Sequence, residues 1–138
     1  MKKYEIIEHT ADIGLRIFGH SQKDLFQNAA LALFEQITDL TKVTKKKTIS
    51  IELEAPDKTE LFISWLRELL YQADVRQMVF CYFDLMQIDE FHLRGVASGE
   101  PLDLNKHTIK TEIKAVTYHQ LKLENKNNFW SAEVIFDV

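Results

Sequence analysis

Cysteine is almost missing from this chain: Cys81 is the one example in 138 residues. A lone cysteine excludes an internal disulfide, leaves a thiolate metal site without partners and fits a reducing cytoplasm. Set among aromatics in Phe80-Cys81-Tyr82-Phe83, it reads as a small buried hydrophobe ahead of a nucleophile. There is no apolar run near the roughly 18 residues that a membrane span needs. The start, Met1-Lys2-Lys3-Tyr4-Glu5, passes straight into an acidic alternating pattern, which is not that of a signal peptide. Positive charge is short as well. A net charge of −4 argues against a surface that grips nucleic acid throughout. One basic run exists, Lys42, Lys45, Lys46 and Lys47. It reads first as a solvated loop that keeps a nearby sheet edge soluble, and second as an RNA contact.

The usual catalytic signatures are also absent. The chain has no phosphate loop ending in GKS or GKT, no GxSxG and no HExxH. Gly14 and Gly19 do not form a dinucleotide fingerprint, none of the five histidines forms an i, i+4 metal pair, and Ser64 and Ser98 have no evident base partner. Nucleophilic catalysis is therefore poorly supported.

What is present is an ordinary globular composition, 46% hydrophobic and 28% charged, over a length that fits one domain (residues 1–138) with a real core. Residues 4–8 and 13–18 read as short strands. Ser21 with Asp24 forms a capping signature for a helix from about Gln22. Leu25, Phe26, Ala29, Ala30, Leu33, Phe34 and Ile37 then recur at helical spacing. Thr48 to Glu54 alternates as a half-buried strand. Asp57 with Glu60 caps a second helix, whose inner side carries Leu61, Phe62, Trp65, Leu66, Leu69, Leu70 and Ala73.

Beyond Gln77 the pattern is strands: Met78 to Ile88, Phe91 to Ala97, Thr108 to Tyr118, Leu121 to Glu124 and Phe129 to Phe136. A loop is expected at Gly99–Asp103 and a hairpin loop at Asn125–Asn128. Strands at both ends with two helices between them are not a βαβ alternation. The expected fold is α+β, a single domain with a mixed, mainly antiparallel sheet and two helices packed on it.

The stretch densest in chemistry is His9-Thr10-Ala11-Asp12-Ile13-Gly14, joining the first two strands. If the terminal strands are neighbours, Asp12 can meet Asp137 and the backbone oxygens of Val138 at one sheet edge. An all-oxygen set of that kind suits a hard cation, Ca²⁺ or Mg²⁺, more than zinc. The plain alternatives are a turn aspartate bonded to a nearby amide and a solvated terminal aspartate. On spacing alone, both plain readings stand ahead of the metal site.

Several pieces of the chain together resemble the archease family. They are His9-Thr10-Ala11-Asp12-Ile13-Gly14, Trp65-Leu66-Arg67-Glu68-Leu69-Leu70, Gly99-Glu100 with His107, Lys114-Ala115-Val116-Thr117-Tyr118-His119, and the final Asp137-Val138. Each is weak alone; their order and spacing along the whole chain carry the resemblance.

The resemblance implies an accessory protein rather than an enzyme. Its role would be to activate a GTP-dependent RNA ligase of tRNA splicing and RNA repair, promoting guanylylation of the ligase and its turnover. It also implies a divalent cation held by Asp12, Asp137 and Val138, calcium first, with magnesium or manganese as alternatives. RNA would be met mainly through the ligase, in the cytoplasm and away from membranes. His9, Lys114, Tyr118 and His119 become partner-facing or supporting residues, and His9 is expected to hold the Asp12 loop. Two other readings stay open beside this one. One is a stand-alone metal-dependent phosphoesterase, and the other a chaperone-like binding module for RNA-processing proteins.

Overall fold

The computed structural model describes residues 2–7 and 11–138. Among the described residues there are seven strands and two long helices. They run in the order β1 (Tyr4–Ile7), β2 (Ile13–Gly19), α1 (Gln22–Ile37), β3 (Lys47–Glu54), α2 (Lys58–Arg76), β4 (Met78–Ile88), β5 (His92–Pro101), β6 (Ala115–Lys126) and β7 (Phe129–Asp137). A 3₁₀ turn over Leu40–Lys42 follows α1. The α+β class and the two helices are as the sequence implies.

The sheet is divided in two: a four-stranded sheet ordered β1-β2-β7-β6 and a three-stranded sheet ordered β3-β5-β4, with every pairing antiparallel. The first strand, β1, is separated from the last by β2, which pairs with β7 over its whole length. No helix among the described residues is long and apolar enough to cross a membrane.

Both helices start where their caps say. Ser21 Oγ accepts from the Asp24 N–H at 3.1 Å, and Asp57 Oδ1 accepts from the Glu60 N–H at 2.8 Å. These bonds satisfy donors that a helix N-terminus leaves without a partner.

α1 packs on β2 of one sheet and β4 of the other, so its apolar face is broad. Phe26 meets Phe62 of α2 edge-on at 5.2 Å between ring centroids, and Phe34 meets Phe80 of β4 at 5.5 Å. Trp65 is fully buried, and its indole N–H donates to the Phe26 carbonyl at 2.9 Å. Trp65 is therefore core. Truncating such a side chain costs about 3–5 kcal/mol.

The polar side chains on α1 close gaps in the sheets. Asn28 donates to the Phe18 carbonyl at 2.7 Å, and the Leu85 N–H donates to Gln27 Oε1 at 2.9 Å.

Three regions differ from the pattern read in the sequence. The first is β5, which runs through Gly99 to Pro101 instead of ending in a loop. It can do so because β4 bulges at Cys81, where the pairing steps from Phe80↔Gly99 to Tyr82↔Ser98. The bulge presses β4 against Gly99, where a Cβ would lie 1.8 Å from the Val79 carbonyl oxygen. Cys81 is half-buried and burial pushes its thiol up, in keeping with a packing role.

The second is the segment 108–114, which alternates but is not a strand. One isolated bridge, Thr38↔Ile109, and single backbone bonds from Lys110 to Ile37 and from Lys114 to Asp137 tie it to the rest of the chain. Ile113 lies inside and Glu112 and Lys114 outside. The third is Leu121–Glu124, which belongs to one long β6 with an irregularity between Thr117 and Lys122, so the hairpin turn shrinks to Asn127-Asn128, both at positive φ.

Candidate functional site

The site at the end of the four-stranded sheet follows from register. The last β2–β7 pair is Ile13↔Phe136. Asp12, in the bend before β2, and Asp137, the residue after Phe136, both lie just beyond that pair. Side chains alternate between faces along a strand. Phe136 is buried in the core, so Asp137, the next residue of β7, lies on the opposite face of the sheet. That face also carries Arg16, bridged to Glu5 at 2.8 Å and to Glu133 at 2.7 Å. Asp137 is exposed and Asp12 half-buried.

The neighbouring strand completes the group. Ala115 pairs with Asp137, and the Lys114 N–H donates to the Asp137 carbonyl at 2.7 Å. Lys114 thus stands opposite Val138, whose side chain packs against the core and leaves its backbone oxygen as its available donor. Among the described residues no carboxylate lies within ion-pair distance of the Lys114 ammonium. Lys114 also lines a cleft of ≈ 800 Å³ shared with Arg67, Tyr71, Glu112 and Ile113.

The donor chemistry fits a hard cation: two carboxylates plus main-chain oxygen, with water filling the remaining positions. Among the described residues no three His, Cys, Asp or Glu side chains gather around one point. Nitrogen- or sulfur-rich coordination of the zinc type is thus unsupported there.

Of the residues singled out from the sequence, Lys114, Asp137 and Val138 lie at one end of the β6–β7 ladder, and Asp12 lies at the same end of β2. Tyr118 goes elsewhere. Its hydroxyl donates to Glu60 Oε2 at 2.9 Å and its ring lies under the Arg67 guanidinium at 4.4 Å, which ties β6 to α2. The Glu60 bond is the first reason its phenol is pushed above the ordinary tyrosine value. His119 is exposed in the irregular part of β6, four residues beyond Ala115. His9 lies outside the described residues.

A second constellation was legible as Gly99-Glu100 with His107, but the sequence offered no role for it. Glu100 and His107 are both buried, with relative exposures of 2% and 1%. His107 Nδ1 accepts from the Asp103 N–H at 3.0 Å, so Nε2 carries the proton and donates to Glu100 Oε2 at 2.9 Å. The same carboxylate accepts from the Thr44 N–H at 2.8 Å and pairs with Lys106 at 2.8 Å and Lys46 at 3.4 Å. These donors, Lys106 first, hold its carboxyl down at about 2.

A family model described as the archease protein family matches residues 4–138. The chain is 43% identical to the protein archease of Methanosarcina acetivorans, over 99% of this chain and 97% of that one. It is 41% identical to the protein archease of Pyrococcus furiosus, over the whole of both. The solution structure of Methanobacterium thermoautotrophicum protein 1598 superposes over all of both chains with a TM-score of 0.86 at 34% identity. A crystal structure of an archease, possible chaperone, from Thermotoga maritima matches 96% of this chain and 94% of that one with a TM-score of 0.68. At 22% identity that last likeness speaks for the fold alone.

Proposed function

The chain belongs to the archease family, and from that premise we propose that it is an accessory protein of a GTP-dependent RNA ligase, promoting guanylylation of the ligase and its turnover in tRNA splicing and RNA repair. The observation that carries this reading is that Asp12 and Asp137 both lie just beyond Ile13↔Phe136, the last pair of the β2–β7 ladder, where the Lys114 N–H also bonds the Asp137 carbonyl. Among the described residues this end offers two carboxylates, main-chain oxygen and a lysine, a set suited to binding charge.

We assign Asp12, Asp137 and the backbone oxygen of Val138 to a divalent cation, calcium first. Bound there, the ion would balance negative charge on a nucleotide triphosphate in the partner's site. Around it, the carboxylates fix the ion at the outer face of the sheet, and Lys114 adds a positive charge at a rim that a partner can reach. The Asp137 carbonyl, held by the Lys114 N–H at 2.7 Å, keeps the last strand from fraying. On the same reading the protein works in the cytoplasm, to which its single cysteine is suited.

Guanylylation of the ligase by GTP, followed with and without this protein, tests the proposal. Wild type should stimulate the reaction, whereas Asp12→Ala and Asp137→Ala should fold normally and stimulate little. Full stimulation by both variants would overturn the cation assignment. Turnover of end-labelled RNA by the protein alone, lost in Asp12→Asn, would favour a phosphoesterase. Equal help to unrelated client proteins would favour a chaperone.

A further inference from the structure

The buried Glu100 does more than hold its own strand. It accepts from the Thr44 N–H and pairs with Lys46 on one side, and binds His107 and Lys106 on the other. Lys106 Nζ reaches back to Thr44 Oγ1 at 3.2 Å. Two loops more than fifty residues apart in sequence are thereby braced into one surface. The first brings Lys42, Lys45, Lys46 and Lys47; the second adds Lys106 and Lys110. Lys42 and Lys110 both act on the Asp39 carboxylate and so lie on the same side of the molecule. Lys45 lies over the ring of Tyr82 at 4.3 Å, and that ring remains 42% exposed.

The charge is lopsided as a result. Residues 38–47 and 99–110 hold six lysines against Asp39, Glu100 and Asp103, while the rest of the chain has eleven basic and eighteen acidic residues. Glu100 is buried beneath Lys46 and Lys106, which leaves Lys42, Lys45, Lys47 and Lys110 turned to solvent. In a protein of net charge −4, this is a local positive field of the kind that gathers a polyanion.

We propose that this composite lysine surface binds the phosphate backbone of single-stranded RNA, a direct contact separate from the cation pair and from any ligase. Lysine without arginine supplies point charges along a backbone and lacks the planar fork that a carboxylate peptide would select. The exposed ring of Tyr82 gives a nucleobase something to stack on. The surface is made of loops and a strand start, with no helix to enter a duplex groove. The run reads in the sequence as a solvated loop because Lys106 and Lys110 join it only in the folded chain.

The test is fluorescence anisotropy of a labelled, unstructured RNA strand with the pure full-length protein in EDTA, without ligase, so that it stands or falls apart from the cation reading. Contacts from the four outward lysines give a log–log salt slope of roughly −3, or about a fifty-fold loss between about 50 and 200 mM salt. The triple variant Lys45→Glu, Lys47→Glu, Lys110→Glu should bind at least about tenfold more weakly with a slope near −1. The matched triple Lys23→Glu, Lys122→Glu, Lys126→Glu should stay within about twofold of wild type. If the first triple fails to fold, the Lys→Gln set replaces it. Absent or salt-insensitive binding, or equal losses in the two triples, would overturn the proposal. So would displacement by polyglutamate as effective as by unlabelled RNA, which would give the surface to an acidic protein.

Discussion

Two carboxylate sites sit in the two sheets, and their surroundings are opposite. At the end of β5, Glu100 is buried with every contact filled: a backbone N–H, a histidine and two lysines. At the end of the β2–β7 ladder lie Asp12, half-buried, and Asp137, exposed, and no lysine or arginine ion pair involves either among the described residues. Carboxylates without an ion pair are groups that an arriving hard cation can meet. A filled carboxylate builds the protein and an open pair uses it. That difference separates the role assigned to Glu100 from the role assigned to Asp12 and Asp137.

The largest effect should come from the structural side. Gly99→Ala drives a methyl into the Val79 carbonyl and should destabilise by about 3 kcal/mol, the upper range for overpacking. Denaturant unfolding measures it, and an unchanged midpoint would mean that the bulge at Cys81 relaxes freely.

Next comes Glu100→Gln. The native carboxyl stands at about 2 against an ordinary 4.5. A lowered folded value means that Glu100 stabilises the protein fully above about pH 4.5 and loses that contribution as the pH falls toward 2. Thermal melts from pH 7 to pH 3 should show a falling midpoint in wild type and a lower, flatter profile in the variant. Parallel profiles would place the acid sensitivity on other carboxylates.

On the open side, Asp12→Asn and Asp137→Asn should change stability by no more than about 0.5 kcal/mol, as surface substitutions do. A loss as large as that of Gly99→Ala would make the pair structural after all. Smallest of all, Tyr118→Phe removes one solvent-screened bond to Glu60 and should cost a few tenths of a kcal/mol.

The sequence made the helices and their caps legible because those signals are local. Ser21 with Asp24 and Asp57 with Glu60 bond as their spacing implies. Trp65 is core because it repeats with Leu61 and Leu69. The division into two sheets was not legible, since α1 packs on both sheets with one broad apolar face and nothing in its pattern says how many sheets it meets. Residues 108–114 misled because alternating residue types alone do not pair a strand: Ile113 is buried while Ile109, in phase with it, is exposed. The candidate site was half legible: the carboxylates stand out near the two ends of the chain, but only the β2–β7 register brings both to one end of a ladder. The Glu100–His107 pair needs contacts that sequence spacing does not contain.

The most direct test of the contrast between the sites is a calcium titration by isothermal calorimetry on wild type, Asp12→Asn and Glu100→Gln. The account predicts one cation per chain in wild type, binding weakened at least about tenfold in Asp12→Asn, and binding near that of wild type in Glu100→Gln. Equal calcium affinity in wild type and Asp12→Asn would contradict it.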